Sequence, residues 1–121
     1  MAIRYLLDEH LSPIYRLQLV RRNPELIVRI IGDLDVPPKG TPDPEILIWC
    51  ETNGFILVTN NRKSMPGHLA DHLALDRHIP GIFTIDANQS IGQTVEELII
   101  IVAASFEDEY QDRIEYLPLS Q

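Results

Sequence analysis

Cysteine is nearly absent from this chain: Cys50 stands alone, which excludes a disulfide framework and a zinc cluster built on thiolates. Long apolar runs are missing too. The longest, Leu98 to Ala104, falls far short of the ~20 residues that span a bilayer. The N-terminus carries no basic region leading into an extended apolar segment. No signal peptide is therefore expected, and the cytoplasm is the expected compartment. Bases are outnumbered, ten against 18 acids, and the net charge of -8 argues against a simple nucleic-acid binder. Internal repeats, low-complexity tracts and inter-domain linkers are absent as well.

What remains is ordinary for one folded domain. With 121 residues, 45% of them hydrophobic, the chain can bury a real core. Its acidity is uneven. Residues 86–121 hold eight acids and one base, Arg113, whereas residues 1–85 hold ten acids and nine bases. The first two thirds are near balance and can meet a polyanion, above all if bound cations neutralise a carboxylate cluster.

Strand and helix patterns alternate along the chain. Apolar Ile3 to Leu7 reads as a strand. Residues 13–22 read as a helix, with Ser12 as cap, Pro13 in the first position, and Ile14, Leu17 and Val20 on one apolar face. Asn23-Pro24 breaks it, and Leu26 to Ile31 is a second strand. A loop over residues 32–42 leads to a helix in which Asp43 caps, Pro44 comes first and Glu45 favours the positive end. Gly54 stops that helix. Phe55 to Thr59 is a third strand, and a polar loop from Asn60 to Ser64 precedes a helix from about Pro66 to Arg77. Ile82 to Ile85 is the fourth strand, Ile91 to about Phe106 the longest helix, and Arg113 to Leu117 a last short strand. This order predicts a single α/β domain with three layers, α/β/α, around a mostly parallel sheet.

An open parallel sheet gathers its strand ends at one rim, and sites form there. Asp8 and Glu9 follow the first strand; Thr59, Asn60 and Asn61 end the third; Asp86 and Asn88 follow the fourth. Asp43 and Glu45 open a helix on the same rim. Oxygen ligands of this kind suit Mg2+ or Mn2+. Two such ions about 4 Å apart can hydrolyse a phosphodiester. Each acid also has a purely structural reading: a cap for Asp43, a first-turn acid for Glu45, a solvated neighbour for Glu9, a loop acid for Asp86. Asp8, at the end of an apolar strand, resists that reading best. His68 and His72 have a zinc-compatible helical spacing but lack a catalytic Glu and a third ligand. Arg62 and Lys63 suit phosphate or plain solvent. Cys50, beside Trp49, reads as a core residue. The acidic stretch Glu107 to Glu115, set among Phe106, Tyr110 and Tyr116, reads as a solvated helix end, with partner docking as the alternative.

Three blocks in order carry a more specific likeness: Leu6-Leu7-Asp8-Glu9-His10-Leu11-Ser12-Pro13, Thr41-Pro42-Asp43-Pro44-Glu45-Ile46-Leu47, and Gly54 through Arg62. Together they resemble the short PIN-like family of small bacterial proteins. Met65-Pro66-Gly67-His68-Leu69 and Pro80-Gly81-Ile82-Phe83 resemble one branch of it. The likeness covers roughly residues 1–85, with a looser fit to the end. It implies a PIN fold, a Mg2+- or Mn2+-dependent ribonuclease activity, and often a dimer. It also implies the toxin role of a toxin–antitoxin pair, with a co-expressed antitoxin as inhibitor.

By position, Asp8 is the first acid of that site and Asp43 the second, with Glu45 beside it. At the third place family members commonly show Thr-x-Asp, where this chain has Thr59-Asn60-Asn61. Asn61 keeps an oxygen ligand without the charge. That predicts a weaker cation site completed by RNA phosphates, or a loss of catalysis. The expected catalytic set is therefore Asp8, Asp43, Glu45 and Asn61. Asp8, Glu9, Asp43 and Asn61 are the expected metal ligands. Ser12, Thr59, Asn60, Arg62 and Lys63 are the expected contacts to RNA. A non-catalytic PIN-like module binding RNA or a protein partner is the alternative. A phosphate-accepting receiver domain would need an Asp at positions 59–61, where none stands.

Overall fold

Five short apolar segments become the strands of one sheet: β1 (Tyr5–Leu7), β2 (Val28–Ile30), β3 (Ile56–Thr59), β4 (Ile82–Thr84) and β5 (Ile114–Tyr116). They lie in the order β2-β1-β3-β4-β5, and every neighbouring pair is parallel. Four helices join them: α1 (Ile14–Arg22), α2 (Asp43–Asn53), α3 (Met65–Ala74) and α4 (Ile91–Ala104). The structure is a computed structural model and describes residues 3–119. The three-layer α/β/α domain expected from the alternation is the fold, and its sheet is wholly parallel. Among the described residues no helix is long and apolar enough to cross a membrane.

A parallel sheet must be covered on both faces, so its strands are apolar throughout. Tyr5, Leu7, Val58 and Phe83 meet Tyr15 and Leu19 of α1 and Val95, Leu98 and Ile101 of α4. Leu6, Leu57 and Ile82 point the other way, onto Ile46, Leu47 and Cys50 of α2 and Met65 and Leu69 of α3. Each fully buried side chain of this size stabilises the fold by about 1.5–3 kcal/mol. Cys50 is buried among them, and burial pushes its thiol well above the ordinary range, as suits a core residue.

The last crossover departs from the rest. From β1 the chain steps one way to β2 beneath α1. From β2 onward it steps the other way, to β3, β4 and β5. Because α2 and α3 cover the face opposite α1, the first three crossovers share one hand. α4 returns to the α1 face while the chain still steps toward β5, so its crossover has the opposite hand. The Tyr5 hydroxyl donates to the Leu98 carbonyl at 2.9 Å and fixes α4 there. As a result, among the described residues no later helix covers the α2–α3 side of β5. Ile114 packs at the edge of that cluster, and Tyr116 stays 42% exposed.

Several expectations are corrected. The α1 stripe Ile14, Leu17 and Val20 faces solvent, and Tyr15 and Leu19 are buried instead. An ion pair from Arg16 to Asp33, 2.6 Å, holds the helix in this rotation. Asp43 does not cap α2. Extended Pro42 occupies that position, and Asp43 is the first helical residue. α3 stops before Arg77, because Asp76 adopts a left-handed φ of 58°. The acidic segment is not a solvated helix end. After α4 ends it forms turns, and Tyr110 folds back, buried, edge-on to Phe83 at 5.0 Å.

At the rim opposite the strand ends, four charged groups tie α2, the α3–β4 connection and the start of β5. His78 Nδ1 lies 2.7 Å from Asp112 Oδ2. Glu51 accepts from Arg77 at 3.1 Å and from the His78 backbone at 3.2 Å. The Asp112 hydrogen bond and charge raise His78 above its ordinary 6.5. Desolvation pushes Asp112 up from 3.8, but bonds from His78 and Ile79 outweigh it and the net shift is downward. Glu51 likewise ends below 4.5, its desolvation outweighed by bonds from His78 and Arg77. A raised histidine stabilises fully below its unfolded value and loses that as pH rises through its folded value. A lowered carboxylate stabilises above its unfolded value and loses that as pH falls. Melting temperature should therefore be highest between pH 4.5 and 6.5 and fall on both sides. The decline on the alkaline side should flatten in His78→Gln. An unchanged alkaline slope in that variant would remove His78 from the account.

Candidate metal centre at the strand ends

The chain leaves β1 toward β2 and returns from β2 to β3, so its connections diverge between neighbouring strands β1 and β3. A crevice opens at such a switch point, outside the carboxyl ends of the strands. Asp8 follows β1 on one side of it, and Thr59 ends β3 on the other. The Asp8 backbone N–H donates to the Val58 carbonyl at 2.9 Å, which extends the ladder by one residue. The Thr59 hydroxyl then donates to Asp8 Oδ2 at 2.9 Å and accepts from the Asn61 N–H at 3.1 Å. Thr59 is buried, so it positions Asp8 instead of touching RNA as expected.

Asp8, Glu9 and His10 each offer a ligand atom, and these atoms lie within 4.8 Å of one another. The cluster can hold a metal ion. Two carboxylates and an imidazole are donor types that divalent cations accept. Asp43, from the first turn of α2, is not within 4.8 Å of all three, but lines the same cleft of about 360 Å³ with Asn60 and Asn61. Glu9 Oε1 accepts from the Gly40 N–H at 2.8 Å, which pins the loop over residues 32–42 to the cleft wall.

Asn61 departs from the expected oxygen ligand. Its Oδ1 accepts from the Ser64 N–H at 3.2 Å, and its Nδ2 donates to Ser64 Oγ at 2.7 Å and to Asp43 Oδ2 at 3.2 Å. Only the oxygen can accept from a backbone N–H, so this network fixes which end of the amide faces the acids. That end is the donor. Asn61 steadies Asp43 and adds no ligand oxygen to the cleft. His68 Nε2 also approaches Asp43 Oδ2, at 3.5 Å.

Other expected residues separate from the cleft. Glu45 is exposed and lines a different recess with Pro38, Thr41 and Trp49. The turn geometry of α2 explains this, since Asp43 and Glu45 lie about 200° apart around the helix. Ser12 Oγ accepts from the Ile14 N–H at 3.2 Å and serves the start of α1, not the cleft. Asp86 Oδ1 accepts from the Asn88 N–H at 2.9 Å in a turn before the capping box of Ser90 and Gln93. The histidine pair is not a zinc site: His72 is buried with Nε2 2.9 Å from the His78 carbonyl, while His68 turns to Asp43. Arg62 and Lys63 are exposed on the loop after β3, beyond Asn60, which stays at the cleft.

Sequence reasoning missed His10 and His68. His10 adjoins the acid pair, and weighing only oxygen ligands hid it. His68 meets Asp43 through the packing of α3 on α2, which leaves no local signature. Comparison with family models, curated proteins and solved structures finds no match to this chain.

Asn61→Asp tests the cleft directly. A carboxylate there would exchange a hydrogen bond to Asp43 for like-charge contact, costing about 1 kcal/mol in metal-free protein. Added Mn2+ should return the variant to at least the wild-type melting temperature, because the new acid adds a ligand. If Mn2+ shifts neither protein, the cleft is not a metal site.

Proposed function

We propose that this protein is a metal-dependent ribonuclease that hydrolyses phosphodiesters of single-stranded RNA. The observation that carries this reading is the convergence of Asp8, Glu9, His10 and Asp43 on one cleft at the switch point of a parallel sheet. The PIN-like blocks of the sequence support it, and they alone support the toxin role, the inhibitory antitoxin and a homodimer. Asp8, Glu9 and His10 would hold the cation, Mn2+ or Mg2+, with Asp43 facing it across the cleft. When bound, such an ion supplies a water of lowered pKa and charge to balance the phosphate.

The chain's own residues do the rest. Thr59 holds one oxygen of Asp8, which leaves the other for the cleft. Asn61 and His68 restrain Asp43 from the α3 side. Arg62 and Lys63, next along the loop, offer the cations that a phosphate backbone needs on a chain of net charge -8. One observation favours a second reading, a non-catalytic module that binds RNA or a protein partner. Asn61 presents an amide donor where an acid would add charge, so the cleft has one carboxylate fewer.

Purified protein with Mn2+ should cut single-stranded RNA, and Asp8→Asn should slow cutting by about a hundredfold or more while the protein still melts cooperatively. Equal cutting by Asp8→Asn would defeat the site assignment. Calorimetric Mn2+ binding that Asp8→Asn abolishes, together with RNA affinity and no turnover across several metals, would establish the second reading.

A further inference from the structure

Arg62 and Tyr116 form a pair that the metal centre does not use. The Arg62 guanidinium carbon lies 5.1 Å from the centre of the Tyr116 ring. Arg62 comes from the loop after β3 and Tyr116 from the end of β5, so the loop crosses the end of β4 to make this contact. Thr59, Thr84 and Tyr116 are in register across β3, β4 and β5 and share one face of the sheet. Asp8 bonds to Thr59 at the head of that row. Three strand spacings separate Asp8 from Tyr116, about 14 Å.

The opposite-handed crossover of α4 leaves this end of the row without a covering helix. Tyr116 is 42% exposed as a residue, and the cation laid on its ring comes from an exposed side chain. Among the described residues Arg62 has no acid partner, although acids outnumber bases by 18 to ten. Its sequence neighbour Asn61 bonds to Asp43, so one loop touches both the acidic cleft and the aromatic platform. Among the described residues the buried Thr84 hydroxyl, between them in register, has no hydrogen-bond partner.

We infer that Arg62 and Tyr116 form a base-stacking subsite for single-stranded RNA, a few nucleotides from the bond at the metal centre. The inference rests on the ribonuclease reading above. An unpaired base has a π-face that stacks on a guanidinium plane or an aromatic ring without regard to sequence. A duplex hides those faces, so the subsite selects single strands. Arg62 also meets the flanking phosphate, which the acidic cleft would repel in the absence of its cation.

The test is fluorescence anisotropy with a labelled, non-hydrolysable hexanucleotide RNA in Mn2+. Tyr116→Ala should weaken binding about tenfold, and Tyr116→Phe should retain wild-type affinity. Arg62→Gln should weaken it and lower the dependence on salt by about one phosphate contact. An abasic position moved along the oligonucleotide should reproduce the Tyr116→Ala loss at one place and add nothing to it in that variant. Calorimetric Mn2+ titration and melting report on the cleft and the fold independently. If wild type binds and Tyr116→Ala binds equally well, the subsite is wrong and the ribonuclease reading stands. If wild type binds no single-stranded RNA under any of these conditions, both fall.

Discussion

The pairing of β1 with β3 is the constraint on which the remainder of this structure depends. It puts two strands that are distant in the chain side by side, with a helix leaving each in a different direction. Asp8 and Thr59 then stand next to each other at the strand ends, and a 2.9 Å hydrogen bond joins them. An acid that merely ended a strand would be free to rotate into solvent. This one is held by a buried hydroxyl and by a backbone that continues the ladder onto Val58. The cleft therefore inherits its rigidity from the centre of the core, although its other wall is loop. Glu9 brings that loop in by accepting from Gly40.

The need to cover both faces of a parallel sheet shapes the second half of the chain. α1 is nine residues long and cannot cover five strands by itself. α4, fourteen residues and the most apolar helix in character, supplies the missing area through Val95, Leu98 and Ile101. Reaching that face from β4 on the way to β5 requires the rarer hand. The fold accepts this because burial of α4 outweighs a preference that comes from strand twist. The consequence lies on the other face, where β5 is left with a half-exposed tyrosine that a loop arginine partly shields. The acidic segment after α4 has the matching task at the other rim, where Tyr110 packs on Phe83 and His78 bonds to Asp112.

The elements were legible in the sequence because their punctuation is local. Pro13, Asn23-Pro24 and Gly54 act within a few residues, and short apolar runs separate clearly from helices of nine or more residues. The rotation of α1 was not legible. Ile14, Leu17 and Val20 make as good a stripe as Tyr15 and Leu19, and the choice rests on tertiary contacts, the packing of Tyr15 and Leu19 in the core shared with α4 and the meeting of Arg16 with Asp33. In the cleft, Asp8 could be read because it ends a strand, and Asp43 because it opens a helix on that rim. Glu45 could not be separated from Asp43 until the helix register was known. The contact of His68 with Asp43 was not legible, because i, i+4 spacing says that two side chains share a face, not which partner each one meets. His72 turned out to serve the opposite rim.

Asn61 carries the remaining argument about charge. A cleft that gathers carboxylates must balance them with a cation or with donors, since like charges in contact destabilise the empty state. Here Asp43 receives an amide from Asn61, with the His68 imidazole 3.5 Å away, while Asp8 receives a hydroxyl from Thr59. Every acid facing the cleft thus has a donor before any ion arrives, Glu9 included. Such a site is stable without metal and gains less from binding it than a bare cluster would. A substrate that brings its own negative charge changes that balance, because a phosphate raises the demand for a cation in the cleft. Under the proposed ribonuclease reading, affinity for metal and for RNA should then rise together, which is the behaviour linkage requires when each ligand is the other's missing counter-charge.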